Sequence, residues 1–312
     1  MTVQDLVEKI APYPNLHAVV TQVLEVWPEH RRYCETRFRN DDPDYLQRTD
    51  EFAALALANV GDGLPRYVQD YRWMCERFLE EELFFQREGR YRLSTFQEAY
   101  DEVYSDLEYM GRYMRGLLIS QVIWDPHARA FDTFREEFLP SLKPGSSYLE
   151  VGPGHGFFLY FASRSDRLSR LEAWDVSEAS ILETGEALKT LGVDRDIALV
   201  QQDVMQAPTR TNEFDVAVIS EVLEHLERPD LALQSLHAAL KSDGRIFIHV
   251  PINSPAPDHI YLWPTIEAFQ AFVEAQGFKI EVARNFPVTG STLERAIKYK
   301  ASISCVVIAT KA

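Results

Sequence analysis

The chain has 312 residues, 46% of them hydrophobic and 26% charged, so it can bury a full core without disulfides. Its 32 basic and 48 acidic side chains give a net charge of −16, which argues against a nucleic-acid partner because phosphate binding needs a basic face. Three widely spaced cysteines, Cys34, Cys75 and Cys305, indicate a reducing compartment. The chain shows neither a secretion signal nor an apolar run long enough to cross a bilayer, so we expect a cytoplasmic protein that does not bind membranes.

Residues 1–140 are predicted to form a helical domain that acts as a lid and binds the substrate. Apolar residues recur at helical spacing in 17–27 and 51–59, where Pro28 and Gly61 end the pattern, and a third helix runs from Tyr67 to about Phe85. These apolar helices also offer a surface for a homodimer.

A hairpin and a long helix are expected next. Residues 84–93 alternate around Gly89, which predicts a small β-hairpin. That hairpin resembles the wing that precedes the catalytic domain of many small-molecule O-methyltransferases, and it implies a winged-helix-like lid. From Phe96 one amphipathic helix is predicted to pack a single stripe into the core, and its stripe residues are Tyr100, Val103, Tyr104, Leu107, Met110 and Met114.

The segment 113–127 mixes polar side chains into an otherwise apolar helix that ends at Asp125-Pro126. Buried polar groups need partners, and these groups either bond to one another or face a ligand. Both interpretations stay open at this point. The candidate substrate-binding residues are Tyr113, Gln121, Trp124 and His127, together with Asn253 from a later loop.

Around residues 146–156 a short apolar run enters three alternating glycines, Gly152, Gly154 and Gly156, before an apolar segment that can start a helix. This order predicts a strand, a tight turn and a helix N-terminus. Glycine permits φ > 0 and lets a ligand approach the backbone, and a helix start offers unpaired N–H groups. The turn is therefore a candidate ligand site.

After Pro144-Gly145 the pattern changes to alternating strands and helices, which predicts a parallel sheet with crossover helices. The last two strands lie too close in sequence for a full crossover helix, so we expect them to pair antiparallel at the sheet edge. Residues 141–312 thus form an α/β domain. The predicted strands begin near Tyr148, Leu171, Ile197, Phe214, Arg245, Phe278 and Ile303.

Carboxylates follow three of these strands. Asp175 ends the second strand, Asp203 follows the third, and Glu221 follows the fourth. In an open parallel sheet, ligands bind at the carboxyl ends of strands where the strand order reverses, so these positions converge with the glycine turn.

Four segments together carry a resemblance. Residues 149–156, Asp175, 202–204 and 221–226 are similar to class I S-adenosylmethionine-dependent methyltransferases, over about residues 140–312. The resemblance implies a Rossmann-like seven-stranded sheet whose last strand is inserted antiparallel. It also implies S-adenosylmethionine as co-substrate.

Position by position, the resemblance implies that the turn 152–156 binds the methionine moiety, Asp175 the ribose, and Asp203 with Val204 the adenine. Glu150 is expected to order the turn. The candidate cofactor-binding residues are Glu150, Gly152, Gly154, Gly156, Asp175, Asp203, Val204 and Glu221.

Methyl transfer to oxygen or nitrogen needs an in-line nucleophile and a base that removes its proton. His225 and His259 are the candidate bases, although His225 has the alternative role of capping structure at the strand end. The loop 250–263, which contains Asn253 and His259, is a candidate substrate wall.

Glu221, Glu224, His225 and His259 also resemble the Mg²⁺ site of small-RNA 2′-O-methyltransferases. The acidic surface argues against an RNA substrate, and small-molecule relatives carry the same Glu-His pair without metal. We therefore expect no metal, Mg²⁺ included.

These features predict a methyltransferase acting on oxygen or nitrogen of a small molecule in secondary metabolism. One alternative is an enzyme of the same fold that consumes S-adenosylmethionine without an acceptor, like azetidine-2-carboxylate synthases, which release methylthioadenosine. The second alternative is a non-catalytic binding module of this fold.

Overall fold

The computed structural model describes residues 3–206 and 210–312, in which a run of helices precedes a sheet alternating with helices. The α-helices are α1 (Val3–Ile10), α2 (Pro14–Val26), α3 (Arg31–Arg37), α4 (Pro43–Val60), α5 (Leu64–Glu88), α6 (Phe96–Ala99), α7 (Leu107–Ile123), α8 (Asp125–Thr133), α9 (Phe157–Ser163), α10 (Glu178–Thr190), α11 (Pro229–Ala239), α12 (Ile266–Ala275) and α13 (Leu293–Tyr299). Short 3₁₀ turns are Pro28–His30, Gly61–Gly63, Leu139–Ser141 and Leu223–His225, and π-helical turns are Tyr100–Tyr104 and Phe134–Phe138.

Local chemistry sets the helix ends. At the start of α4 the Asp42 side chain accepts a 2.8 Å hydrogen bond from Tyr45 N, and Pro43 occupies the first turn, where its missing N–H has no partner to lose. Gly61, with φ +56°, ends the same helix. The three predicted N-terminal helices fall on α2, α4 and α5.

The seven strands form one sheet with the order β3-β2-β1-β4-β5-β7-β6. β7 runs antiparallel to both neighbours, and the other pairs are parallel. The predicted seven-stranded sheet and its inserted antiparallel last strand are thus confirmed. The strands are β1 (Ser146–Val151), β2 (Leu168–Asp175), β3 (Ala198–Gln201), β4 (Phe214–Ser220), β5 (Leu240–Ile252), β6 (Phe278–Pro287) and β7 (Ile303–Lys311).

Both faces of the sheet are buried, as a parallel sheet requires. Along β1, Tyr148 joins the core shared with the N-terminal helices, whereas Leu149 joins the core on the opposite face. The Phe134 ring lies 5.5 Å from that of Phe247 on β5, so the helical region and one sheet face share a continuous core. The boundary near residue 140 stays a prediction.

The predicted β-hairpin at residues 84–93 is wrong. Helix α5 continues through Glu88, and Gly89 ends it in the left-handed conformation with φ +69°. The glycine that suggested a hairpin turn is therefore a helix C-cap. Tyr91 and Leu93 of the following segment are buried, which explains the apolar alternation.

The predicted single helix from Phe96 is interrupted. After α6 and a π-helical turn, the Asp106 side chain caps α7 by accepting hydrogen bonds from Glu108 N and Tyr109 N. Leu107 is 86% exposed, so the proposed stripe does not form one buried face. In the described part of the chain, no helix is long and apolar enough to span a membrane.

Candidate cofactor and acceptor site

The glycine turn joins β1 to α9, and all three glycines have φ between +50° and +74°. A Cβ on Gly152 would lie 2.4 Å from Val222 Cγ2, so this position excludes any side chain. At Gly154 nothing lies within 4 Å of the corresponding point. Thr184 Oγ1 donates a 2.8 Å hydrogen bond to the Gly154 carbonyl and holds the loop. The turn therefore presents bare backbone to a ligand.

A cavity that is partly open to solvent lies against this turn, with about 970 Å³ of empty space when its open part is included. Its walls come from the helical region, including α7 and α8, from the ends of β4 and β5, and from the loop after β5. Its apolar lining includes Met110, Met114, Leu117, Phe131, Pro153, Phe157 and Phe158. Its polar lining includes Tyr104, Tyr113, Gln121, His127, His155, Ser220, Glu221, His225, His249 and Asp258.

Asp175 and Asp203 stand beside the turn at the ends of neighbouring strands. Gly152 N donates to the carbonyl of Trp174, and Gln202 N donates to that of Asp175, which fixes the three loops side by side. Asp175 Oδ1 accepts from Ser177 N, and Asp203 Oδ1 accepts from Met205 N, each at 2.9 Å. Burial raises the pKa of Asp175 above its usual value. Neither carboxylate belongs to the cavity lining among the described residues.

Val204 and Glu150 are both buried within the protein. The Val204 side chain is buried in the core of the opposite sheet face. Glu150 is buried on β1 and accepts a 2.7 Å hydrogen bond from the Tyr148 hydroxyl. Burial raises the pKa of Glu150 to about 8, which keeps it largely protonated at neutral pH. The role of Glu150 in ordering the turn stays a prediction, because its hydrogen bond joins two residues of β1.

Glu221 lines the cavity at the end of β4, with a left-handed φ of +53° that is unusual outside glycine. Its Oε1 lies 3.1 Å from His249 Nε2, although the two atoms are poorly aligned for a hydrogen bond. Burial, and to a lesser extent the nearby Asp258, raise the pKa of Glu221 to about 8. The φ angle turns this carboxylate toward β5.

The sequence interpretation missed His249, which lies in the middle of the apolar strand β5. Its Nδ1 is 3.0 Å from Ser220 Oγ. Burial, and to a lesser extent the neighbouring His127, lower the pKa of His249 to about 3, so the imidazole is neutral. The sequence did contain a signal for His249, because residues 246–252 are otherwise apolar or proline.

Asp258 gathers three side chains and was also missed. Tyr113 OH and Tyr104 OH donate to its two carboxylate oxygens at 2.9 and 3.3 Å. His225 Nδ1 lies 3.1 Å from the Asp258 carbonyl oxygen and 3.2 Å from Tyr104 OH. Burial and the neighbouring Asp258 both raise the pKa of Tyr113 well above its usual value. Tyr113 therefore remains a hydrogen-bond donor.

The two candidate bases adjoin each other, with ring centroids 4.9 Å apart. His225 lines the cavity, whereas His259 stands behind it and holds its Nδ1 2.7 Å from the Ser254 carbonyl oxygen. Burial lowers the pKa of His259 to about 4.

Some of the predicted substrate-binding residues line the cavity and others do not. Gln121, His127 and Tyr113 line the cavity. Trp124 Nε1 donates instead to Tyr71 OH at 2.9 Å, and Asn253 Nδ2 donates to the Pro264 carbonyl at 3.2 Å. Trp124 and Asn253 lie outside the described cavity lining.

A family model for the methyltransferase domain matches residues 124–288, more than half of the chain. The chain belongs to this family. Membership confirms the resemblance to class I S-adenosylmethionine-dependent methyltransferases. The match begins in the helical region, ahead of the predicted boundary at residue 141.

A curated relative is the ubiquinone/menaquinone biosynthesis C-methyltransferase UbiE of Haemophilus ducreyi, 27% identical over 147 residues, 46% of this chain and 56% of the relative. The chain therefore matches only about half of that relative's length. Among solved structures, the [4+2]-cyclase SpnF is 19% identical with a TM-score of 0.49, covering 60% of this chain and 82% of that one. A SAM-dependent methyltransferase from Aquifex aeolicus is 20% identical with a TM-score of 0.45, covering 62% and 93%.

Proposed function

We propose that the protein transfers the methyl group of S-adenosylmethionine to an oxygen or nitrogen of a small, non-anionic molecule held in the cavity. The observation that carries this proposal is the cavity of about 970 Å³ against the glycine turn Gly152–Gly156. It adjoins the backbone that the family uses for the methionine end of the co-substrate. Asp175 and Asp203, at the ends of the strands beside the turn, would then bind the ribose and adenine.

The charge of the lining supports a neutral or cationic acceptor. Glu221 and Asp258 face the cavity, and the described lining contains no lysine or arginine. A carboxylate or phosphate on the acceptor would lose its hydration without gaining a counter-ion. The overall charge of −16 likewise favours a small molecule over a nucleic acid.

The helical region supplies selectivity in this proposal. Residues from α7 and α8, including Met114, Gln121 and Phe131, form one wall of the cavity, so residues 1–140 act as the lid. The wall excludes water from the reacting sulfonium and shapes the acceptor space. Whether two copies pair through these helices is tested by the oligomeric state in solution.

Proton removal is assigned to the pair Glu221 and His249. His249 Nε2 lies 3.1 Å from Glu221 Oε1, Nδ1 faces Ser220 Oγ, and both residues line the cavity. A neutral imidazole accepts the acceptor's proton, and Glu221, whose pKa burial and Asp258 raise to about 8, stabilises the resulting imidazolium in its ionised form. His225 and His259 hold their Nδ1 atoms against carbonyl oxygens, and their roles as bases stay predictions.

The acceptor-free reaction remains the second candidate, because the same pair adjoins the turn that would hold the methionine end. There a base could take a proton from the α-ammonium. The free amine would attack Cγ, the Cγ–S bond would break, and methylthioadenosine would leave as azetidine-2-carboxylate forms.

Mass spectrometry of the products separates these reactions. The protein is incubated with S-adenosylmethionine alone and with a library of neutral alcohols, phenols and amines. Transfer predicts S-adenosylhomocysteine in equal amount to a methylated library member, and only when that member is present. Methylthioadenosine from the co-substrate alone supports the lyase, and binding without any product supports a non-catalytic module.

A further inference from the structure

The carboxylate of Glu224 is buried beside the cavity. The Glu224 side chain is 0% exposed, and neither of its oxygens has a hydrogen-bond partner within the described residues. Its backbone is held firmly, because its carbonyl oxygen accepts from Ile260 N at 3.0 Å and from Tyr261 N at 2.9 Å. A buried carboxylate without partners is costly unless it is protonated or bound to a cation.

Two imidazoles stand next to this carboxylate. His225 Nε2 is 3.8 Å from Glu224 Oε1, and His259 packs edge-on against His225. One potential ligand atom from each of the three residues lies within 4.8 Å of the others. The cluster therefore supplies one oxygen and two nitrogen donors.

Both imidazoles are oriented as ligands. The Nδ1 atoms of His225 and His259 face the carbonyl oxygens of Asp258 and Ser254, at 3.1 and 2.7 Å. Because a carbonyl oxygen only accepts, each Nδ1 carries the proton and each Nε2 keeps a free lone pair. A backbone acceptor behind the ring is the usual arrangement for metal-binding histidines.

No fixed cation serves the cluster. In the stretches 3–206 and 210–312, the ion pairs of Glu221, Glu224 and Asp258 involve only histidines. The Glu221 carboxylate turns to His249, so it belongs to the cavity pair rather than to this cluster. The donor set thus has three members, not the four that the sequence suggested.

We propose that Glu224, His225 and His259 bind one divalent transition-metal ion, of the manganese, iron and zinc class, at the edge of the cavity. Two imidazoles and a carboxylate suit these ions, whereas Mg²⁺ prefers oxygen ligands. Ligand atoms around such an ion lie roughly 3 to 3.5 Å apart, so the side chains must close by about 1 Å. Because His225 also lines the cavity, the ion would border the acceptor. The proposal revises the expectation of no metal.

Metal binding is measured on the full chain after treatment with EDTA, without S-adenosylmethionine. Isothermal titration with Mn²⁺ is expected to show one ion per chain, and Co²⁺ should produce visible d–d absorption. Glu224→Gln and His259→Gln should each weaken Mn²⁺ binding at least about tenfold. Glu178→Gln, exposed at the start of α10, is the matched control and should leave stoichiometry and affinity unchanged.

Circular dichroism and the unfolding temperature of each variant separate ligand loss from misfolding. If Glu224→Gln does not fold, the proposal is tested by the stoichiometry of the wild type and by Mn²⁺ binding to His259→Gln. The proposal is overturned if the wild type binds neither ion, if Mg²⁺ binds as tightly as Mn²⁺, or if Glu178→Gln weakens binding as much as Glu224→Gln. Since no co-substrate is present, failure here leaves the proposed methyl transfer untouched.

Discussion

The Tyr113 hydroxyl donates a 2.9 Å hydrogen bond to Asp258 Oδ1 and thereby ties helix α7 to the loop after β5. Both groups are buried, and the two residues are 145 positions apart. The bond connects the helical wall of the cavity to its sheet side. Its loss should loosen the wall and leave a buried carboxylate short of a donor.

Tyr113→Phe should therefore lower the free energy of unfolding by about 1–2 kcal/mol and weaken S-adenosylhomocysteine binding several-fold. Tyr109→Phe, one turn earlier on α7 and packed edge-on against Trp73, is the control and should change neither quantity appreciably. Urea unfolding and calorimetric titration supply the two readouts. Equal effects of both variants would argue against a special role for the Asp258 contact.

Gly152→Ala should abolish productive cofactor binding. The new Cβ would lie 2.4 Å from Val222 Cγ2 at φ +67°, so both a clash and backbone strain arise, together about 2–4 kcal/mol. Gly192→Ala, at φ +69° in open space, carries the strain alone and should leave affinity unchanged. Adding Val222→Ala to Gly152→Ala should restore part of the stability. No recovery in the double variant would rule out the clash as the cause.

Glu150→Gln should change how stability depends on pH. Burial raises the pKa of Glu150 from 4.5 to about 8, so in this window the folded chain holds a proton that the unfolded chain releases. The free energy of unfolding of the wild type therefore falls as pH rises from 4.5 to 8. Glutamine keeps an acceptor for Tyr148 without titrating.

The stability of Glu150→Gln relative to wild type should therefore rise by about 2–4 kcal/mol across that window. Chemical denaturation at several pH values measures it, with Glu178→Gln on the surface of α10 as the control. A difference that stays constant with pH would show that Glu150 is ionised in the fold.

His249→Gln should lower kcat by about a hundredfold while leaving KM for S-adenosylmethionine nearly unchanged, because the imidazole acts on the acceptor's proton. Glu221→Gln should lower kcat less and shift the pH profile. His17→Gln on α2 is the remote control. A rise in KM at constant kcat would instead assign His249 to binding.

The sequence predicted the parts of the fold that local patterns control. The seven strands, the antiparallel pairing of the last two and the positive φ at Gly152 each followed from apolar runs, connection length or glycine chemistry, whereas the insertion of β7 between β5 and β6 followed only from the family resemblance. The hairpin at residues 84–93 failed because glycine ends helices as well as turning hairpins, and only tertiary packing decides between them.

The polar side of the cavity was harder to predict. The hydrogen bonds of Asp258 with Tyr113 and Tyr104 join residues about 150 positions apart, and no periodicity in the sequence predicts such contacts. His249 sits in an apolar strand, where a core histidine and a functional one look alike. The direction of Glu221 depends on its φ of +53°, which the sequence does not reveal.

The central claim is that the glycine turn and the neighbouring strand ends bind an adenosyl sulfonium. Isothermal titration of the wild type with S-adenosylhomocysteine tests it most directly, beside Asp175→Ala and the surface control Glu178→Ala. The account predicts one site per chain, at least about tenfold weaker binding in Asp175→Ala, and no change in the control. Absence of binding by the folded wild type, or equal affinity in Asp175→Ala, would contradict it.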